Sequence, residues 1–191
     1  MEQNELYPIF LKASQLNIVI IGGGNVANEK LTFLLKSSPN AKVKVVATRF
    51  SSEIKKTATT QNVPLIFGEY GKGMLHKQHI VIAATNNYKV NKQIFNDAKA
   101  KNLLVNVADT PTLCDFYLGG IVTKGQVKIA ISTNGKSPTL AKRLRQFFEE
   151  VIPEDINLLA LNLNKYRTLL KSDFSNKVIQ LNKLTSLLFA K

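Results

Sequence analysis

Through its first 110 residues the chain alternates short apolar runs with polar stretches of helical period. "LNIVII" (16–21) reads as a buried strand. "NVANEKLTFLLKSS" then carries Val26, Leu31, Leu34 and Leu35 on one helical face. "AKVKVVAT" (41–48) is a second strand, "SSEIKKTATTQ" a polar helix capped by Ser51 or Ser52, and "VPLIF" (63–67) a short third strand. "HIVIAAT" (79–85) and "LLVNVAD" (103–109) are two further strands, separated by the helical "NNYKVNKQIFNDAKAKN". Nearly all-apolar strands joined through helices predict a parallel sheet covered on both faces. Right-handed crossovers then give an α/β, Rossmann-type doubly wound sheet in the order 3-2-1-4-5.

After residue 110 the rhythm changes. "CDFYLGGIVTKGQVKIAIST" holds strand pieces at 115–118, 120–123 and 126–132, with a turn at Lys124-Gly125, and reads as antiparallel. "SPTLAKRLRQFFEEVI" opens a helix with Ser137 as N-cap and Pro138 at the first helical position. Pro153 ends it. Two more helices are expected beyond, with Ile156, Leu159, Leu163 and Leu170 on one face, then Val178, Leu181 and Leu188.

Composition narrows the class. A chain of 191 residues with 45% hydrophobic content can build an ordinary globular core. No apolar run approaches the ~20 residues of a membrane span, and the acidic start "MEQNELYPIF" does not resemble a secretory signal. The single cysteine, Cys114, forms no internal disulfide, and a cytoplasmic protein is expected. A net charge of +13 favours polyanionic partners. From Phe116 to Phe148 there is no acidic residue, while Lys124, Lys128, Lys136, Lys142, Arg143 and Arg145 lie inside. With no helix-turn-helix signature and no aromatic–basic interleaving, nucleic acid is not the expected partner, and no membrane partner is expected.

Chemistry concentrates at three places. Gly22-Gly23-Gly24-Asn25-Val26-Ala27 fits G-x-G-x-x-G/A between a strand and a helix. Gly22 allows the tight turn, Gly24 admits a pyrophosphate, and Ala27 permits close helix–strand packing. The helix N-terminus supplies N–H groups for the phosphates. The acid that usually ends the second strand and binds the adenosine ribose is missing; Thr48 and Arg49 stand there, which leaves NAD and NADP both open.

Asp109, with Asn106 just before it, follows the fifth strand, on the sheet edge where such folds bind ligands. A carboxylate there suits proton transfer beside a hydride acceptor. Spacing alone favours a plain Asx-turn in "ADTP" instead, and Asp115 is a weaker site of the same kind. The loop Ser132-Thr133-Asn134-Gly135-Lys136-Ser137 reads either as an anion grip or as simple helix capping. His76 and His79, without a supporting Cys or helical His pair, read as structural or solvated, so no metal site is expected. Cys114 reads as an inert buried thiol.

"YPIFL" (7–11), "GGGNVANEK", "IAATNN", "LVNVADTPTLCDF" and "IAISTNGKSPTLAKRLR" together resemble the precorrin-2 dehydrogenase family, which includes the N-terminal part of siroheme synthase. The resemblance runs from about residue 6 to residue 150 and continues loosely into the helical tail. It implies NAD-dependent oxidation of precorrin-2 to sirohydrochlorin, with insertion of ferrous iron in some members. It implies Asp109 as the catalytic residue, reversing the turn reading. NAD contacts map to Asn25, Val26, Thr48 and Arg49, within an expected cofactor set of Gly22, Gly23, Gly24, Ala27, Thr85 and Asn106 besides. Residues Ser132 to Ser137 are the expected grip on the substrate's carboxylates. The implied organisation is an NAD-binding domain over 1–111, a homodimerisation segment over 112–146, and a helical domain over 147–191. A separate methyltransferase is expected to supply precorrin-2. The chain departs from the family's habit at Thr48 (often proline), Glu29 (often arginine) and Gly119-Gly120 (often proline and a small residue). A nucleotide-sensing regulatory module without catalysis is the alternative.

Overall fold

The structure is a computed structural model that describes residues 4–171 and 173–186. By compactness it forms two units: the chain through Leu118 with Asn134–Lys136, and Gly119–Thr133 with the chain from Ser137 onward.

The first unit alternates strand and helix: β1 (Asn17–Ile21), α1 (Asn25–Ser37), β2 (Lys42–Ala47), α2 (Ser52–Thr60), β3 (Leu65–Phe67), β4 (Ile80–Ala83), α3 (Tyr88–Lys99) and β5 (Leu104–Val107). All five strands are parallel, in the order β3-β2-β1-β4-β5 that the sequence predicts. Side chains of successive strand residues point to opposite faces, so the apolar runs feed two cores. Ile18 and Ile20 join Ala27, Leu31, Val45 and Ile54 on one face. Val19 and Ile21 join Val81, Ile94, Val105 and Val107 on the other. Register levels the carboxyl ends: Ile21 pairs with both Val46 and Ala83, and Ala83 with Val107.

One expected strand is absent. Residues 115–118 form no strand; the segment instead runs irregularly along β5. Asp115 N–H donates to Val105 O at 2.8 Å, and Asn106 Nδ2 donates to Phe116 O at 2.8 Å. The segment is held by a mixture of backbone and side-chain bonds, which do not repeat as a ladder requires.

In the second unit, β6 (Gly120–Lys124) and β7 (Val127–Ile131) form an antiparallel hairpin turning at Gly125, whose φ is +58°. α4 (Pro138–Val151) packs on it, with Ser137 Oγ accepting from Leu140 N–H and Pro138 at the first position. α5 (Ile156–Leu169) and α6 (Phe174–Thr185) follow. Asn157 Oδ1 accepts from Gln126 N–H at 2.8 Å, and Lys124 pairs with Glu154, tying the hairpin to the start of α5. Ile156, Leu159, Leu163, Leu170 and Leu181 are half-buried, whereas Val178 is exposed; Leu188 lies outside the described residues. Among the described residues no helix is long and apolar enough to cross a membrane.

Candidate functional site

The glycine loop is wedged between the ends of two strands. A Cβ at Gly22 would stand 2.2 Å from Ala84 O, just past β4, and Gly22 has φ +137°. A Cβ at Gly23 would stand 1.9 Å from Arg49 O, just past β2. Neither position accepts a side chain without displacing backbone. Gly24 differs: nothing lies within 4 Å of the Cβ it lacks. It is also the N-cap of α1 and provides no side-chain cap, unlike Ser51, Asn87 and Ser137 at the starts of α2, α3 and α4. Open space before a first turn without a side-chain cap fits a pyrophosphate. Asn28, in the same turn, has a buried Oδ1 with no partner, the one such side-chain atom among the described residues. Sequence reasoning passed over it, because an Asn there reads as a surface residue. Asn25 is exposed, Val26 half-buried and Ala27 fully buried against the sheet.

Thr48 and Arg49 lie exposed beyond β2 on the same edge. Ser51 N–H donates to Gly23 O at 2.8 Å and so binds the β2–α2 turn to the glycine loop. Thr85 follows β4. Its hydroxyl donates to Asn91 Oδ1 at 2.6 Å and accepts from Asn87 N–H at 3.2 Å.

Asp109 closes the other side of this edge. Ala108 N–H donates to Ala83 O at 2.9 Å, continuing the β4–β5 pairing to the last residue before Asp109. Gly22 and Asp109 therefore leave strands two places apart in a sheet whose ends are level, which sets them about 10 Å apart across the edge. Asp109 is exposed, has φ +57°, and among the described residues its carboxylate makes no hydrogen bond or ion pair. The side-chain bond of an Asx-turn is not made; the turn is held by Thr110, whose N–H donates to Val107 O at 3.2 Å.

Asn106 and Asp115 are occupied with structure. Asn106 is 6% exposed, and its amide donates to Phe116 O and to Cys114 Sγ. Asp115 accepts from Lys99 Nζ at 2.6 Å and from Val105 N–H at 3.1 Å. The Cys114 Sγ lies 3.3 Å from both Val107 O and Thr110 O, which compete for its single proton, and burial pushes its pKa up. A protonated, engaged thiol is a poor nucleophile. These three side chains bind residues 114–116 to β5 and so fix the strand that leads to Asp109.

In the 132–137 loop, Thr133 Oγ1 donates to Ser137 O at 3.0 Å and accepts from Ser137 N–H at 3.2 Å. Asn134 (φ +53°) and Gly135 (φ +73°) take left-handed conformations between them. Asn134, Gly135 and Lys136 group with the unit that carries Asp109, whereas Ser132, Thr133 and Ser137 belong to the other. His79 Nδ1 accepts from Asn17 N–H at 2.9 Å, beside the amino end of β1, away from the edge described above. Among the described residues no three His, Cys, Asp or Glu side chains are grouped so as to hold a metal ion.

A family model described as "Putative NAD(P)-binding" matches residues 9–120, and one described as "Sirohaem biosynthesis protein central" matches residues 124–150. Siroheme synthase of Psychrobacter cryohalolentis is 38% identical over 161 residues, covering 84% of this chain and 30% of that protein. Siroheme synthase of Pseudoalteromonas atlantica is 36% identical over 172 residues, covering 90% of this chain and 37% of that protein. This chain thus spans about a third of the length of the curated relatives it matches. Among solved structures, "SirC, precorrin-2 dehydrogenase" shares the fold with a TM-score of 0.77 at 24% identity, covering 94% of this chain and 89% of that one. A match over more than half its length, on the residues that build the glycine loop and the sheet edge, means that the chain belongs to the NAD(P)-binding family.

Proposed function

We propose that the protein is an NAD-dependent dehydrogenase that oxidises precorrin-2 to sirohydrochlorin. The observation that carries this is the Asp109 carboxylate, without a hydrogen bond or ion pair among the described residues, on the sheet edge that also carries the open glycine loop. The relatives named siroheme synthase and the fold shared with a precorrin-2 dehydrogenase support the same substrate.

Backbone N–H groups of Gly24, Asn25 and Val26 hold the pyrophosphate, and Thr48 and Arg49 flank the adenosine ribose. NAD bound there supplies a hydride acceptor. Loss of a hydride from the macrocycle leaves a proton to be removed, and the Asp109 carboxylate accepts it or orients the ring for its loss. Its left-handed backbone turns it out of the β5 line, where the chain has already been fixed by Asn106, Cys114 and Asp115. Lys136, which groups with the unit that carries Asp109, grips the substrate's acetate and propionate groups. The acid-free run from Phe116 to Phe148 attracts that polycarboxylate. The 112–146 segment forms a homodimer interface, and the protein acts in the cytoplasm.

Anaerobic incubation with precorrin-2 and NAD, followed by reduced-cofactor absorbance, tests the reaction. Turnover by the wild type and none by Asp109→Asn, with dinucleotide binding intact in both, is the expected result. Dinucleotide binding without turnover by the wild type would make this a regulatory module instead. Adding ferrous iron and following sirohydrochlorin absorbance tests iron insertion in the same cuvette.

A further inference from the structure

We propose that Asn91 is a positioning residue for the cofactor, acting through Thr85 on the floor under the glycine loop; this rests on the NAD-binding reading above.

Asn91 lies in the second turn of α3 and is 6% exposed; it and Asn106 are the buried polar residues among those described. Its helix neighbours at the same depth, Ile94 and Ala98, are apolar. A buried amide costs stability unless its hydrogen bonds are made. Here every one goes to a single residue. Asn91 Oδ1 accepts from Thr85 N–H at 3.2 Å and from Thr85 Oγ1 at 2.6 Å, and Asn91 Nδ2 donates to Thr85 O at 3.0 Å. The helix does not need this amide as a cap, since Asn87 Oδ1 already accepts from Lys89 N–H and Val90 N–H. What the amide secures is the backbone of Thr85, whose N–H and C=O are both held.

That backbone is the surface on which the glycine loop rests. The Cβ that Gly22 lacks would lie 2.2 Å from Ala84 O and 3.2 Å from Thr85 N. With so little space, a small shift of the Ala84–Thr85 peptide moves Gly22 and the phosphate cradle with it. The Thr85 hydroxyl has one proton, and both of its acceptors lie within this turn and helix: Asn91 Oδ1 at 2.6 Å and, more distant, Asn87 O at 3.2 Å. Thr85 therefore orients the loop through its backbone rather than binding the cofactor through its side chain. Nothing in the "IAATNN" motif alone announces this, because the partner stands six residues on, inside a helix.

The test compares NADH binding by fluorescence, and KM for NAD against kcat, in four variants. Asn91→Leu keeps the volume and removes the bonds; Thr85→Val removes the hydroxyl. Each is expected to raise the NADH dissociation constant and the KM for NAD on the order of tenfold, as when buried groups lose their partners, with kcat close to wild type. Thr85→Ser restores the hydroxyl and is expected to restore affinity. Ile94→Val, in the same helix, is expected to lower the melting temperature and leave affinity unchanged. If Asn91→Leu does not fold, Thr85→Val against Thr85→Ser carries the same comparison. Wild-type affinity in both Asn91→Leu and Thr85→Val, or a matching loss of affinity in Ile94→Val, overturns the proposal while leaving the NAD reading intact. A wild-type chain that binds no NADH overturns the reading itself and the positioning role with it.

Discussion

Gly22 presses against Ala84 so closely that a methyl group on it would stand 2.2 Å from the Ala84 carbonyl oxygen. Two residues on, Gly24 faces open space. Two glycines of one loop therefore do different work: Gly22 lets the chain pass, and Gly24 leaves room for a ligand.

This difference predicts opposite outcomes for the same substitution. Gly22→Ala must adopt φ +137° and displace backbone, so it should lower stability by about 2 kcal/mol or more. Gly24→Ala should melt like the wild type, since its φ is −95° and its Cβ meets nothing. It should nevertheless bind NADH more weakly, because the new methyl group occupies the pyrophosphate's approach. Thermal melts of the unliganded variants beside NADH titrations make the comparison. Unchanged affinity in Gly24→Ala would remove this loop from the cofactor site.

Asp109 allows a second separation of stability from chemistry. Its left-handed backbone costs a non-glycine residue about 1–2 kcal/mol, less for Asp than for most. Asp109→Gly relieves that strain but loosens the unfolded chain, effects of similar size. The variant should therefore unfold within about 1 kcal/mol of the wild type. Turnover of precorrin-2 should be lost. A variant that is stable, binds NADH and still turns over would show that the carboxylate takes no part.

The architecture around these two residues was largely legible beforehand, and for a physical reason. Strands buried on both faces must be apolar throughout, so Ile18–Ile21 and Ile80–Ala83 stand out between polar helices, and strand order follows from handed crossovers. The composition of 115–118 suits a strand, but the segment bends at Asp115 and Phe116 and is held by the Asn106 and Asp115 side chains, which composition does not distinguish from ladder pairing. The Thr85–Asn91 pairing and the orphaned Oδ1 of Asn28 depend on side-chain direction within a helix, which spacing does not encode.

Two half-buried acids contribute to the alkaline side of the stability curve. Burial, with a hydrogen bond to Asp97, pushes the Tyr70 phenol well above its usual value, and burial pushes the Cys114 thiol up. In both, the folded state prefers the neutral form. Their contribution is full below the unfolded pKa values, about 8.5 for Cys and 10 for Tyr, and is lost as pH rises through the folded ones. Stability should therefore decline from about pH 8.5 upward. Tyr70→Phe should flatten the part of the decline above pH 10, where the unfolded phenol ionises. Urea melts between neutral and strongly alkaline pH measure both slopes. The same raised thiol should make Cys114 alkylate slowly at neutral pH in the folded protein and quickly in urea.

Cofactor choice turns on the end of β2. A carboxylate at that place hydrogen-bonds the ribose 2′-hydroxyl and repels a 2′-phosphate, whereas an arginine accommodates the phosphate. Here the strand ends at Ala47 and is followed by exposed Thr48 and Arg49, with no acid at the turn before Glu53 in α2. Thr48 can still serve a free ribose hydroxyl, so NAD is accepted, but nothing at the strand end excludes NADP. Discrimination between the two should accordingly be weak in the wild type. Arg49→Ala should lower affinity for NADPH more than for NADH, and Arg49→Asp should exclude NADPH while sparing NADH. Parallel fluorescence titrations of both reduced cofactors at two salt concentrations decide the matter, because a guanidinium–phosphate contact at an exposed site weakens as salt rises. An equal loss for both cofactors in Arg49→Ala would place Arg49 on the adenine or the pyrophosphate instead.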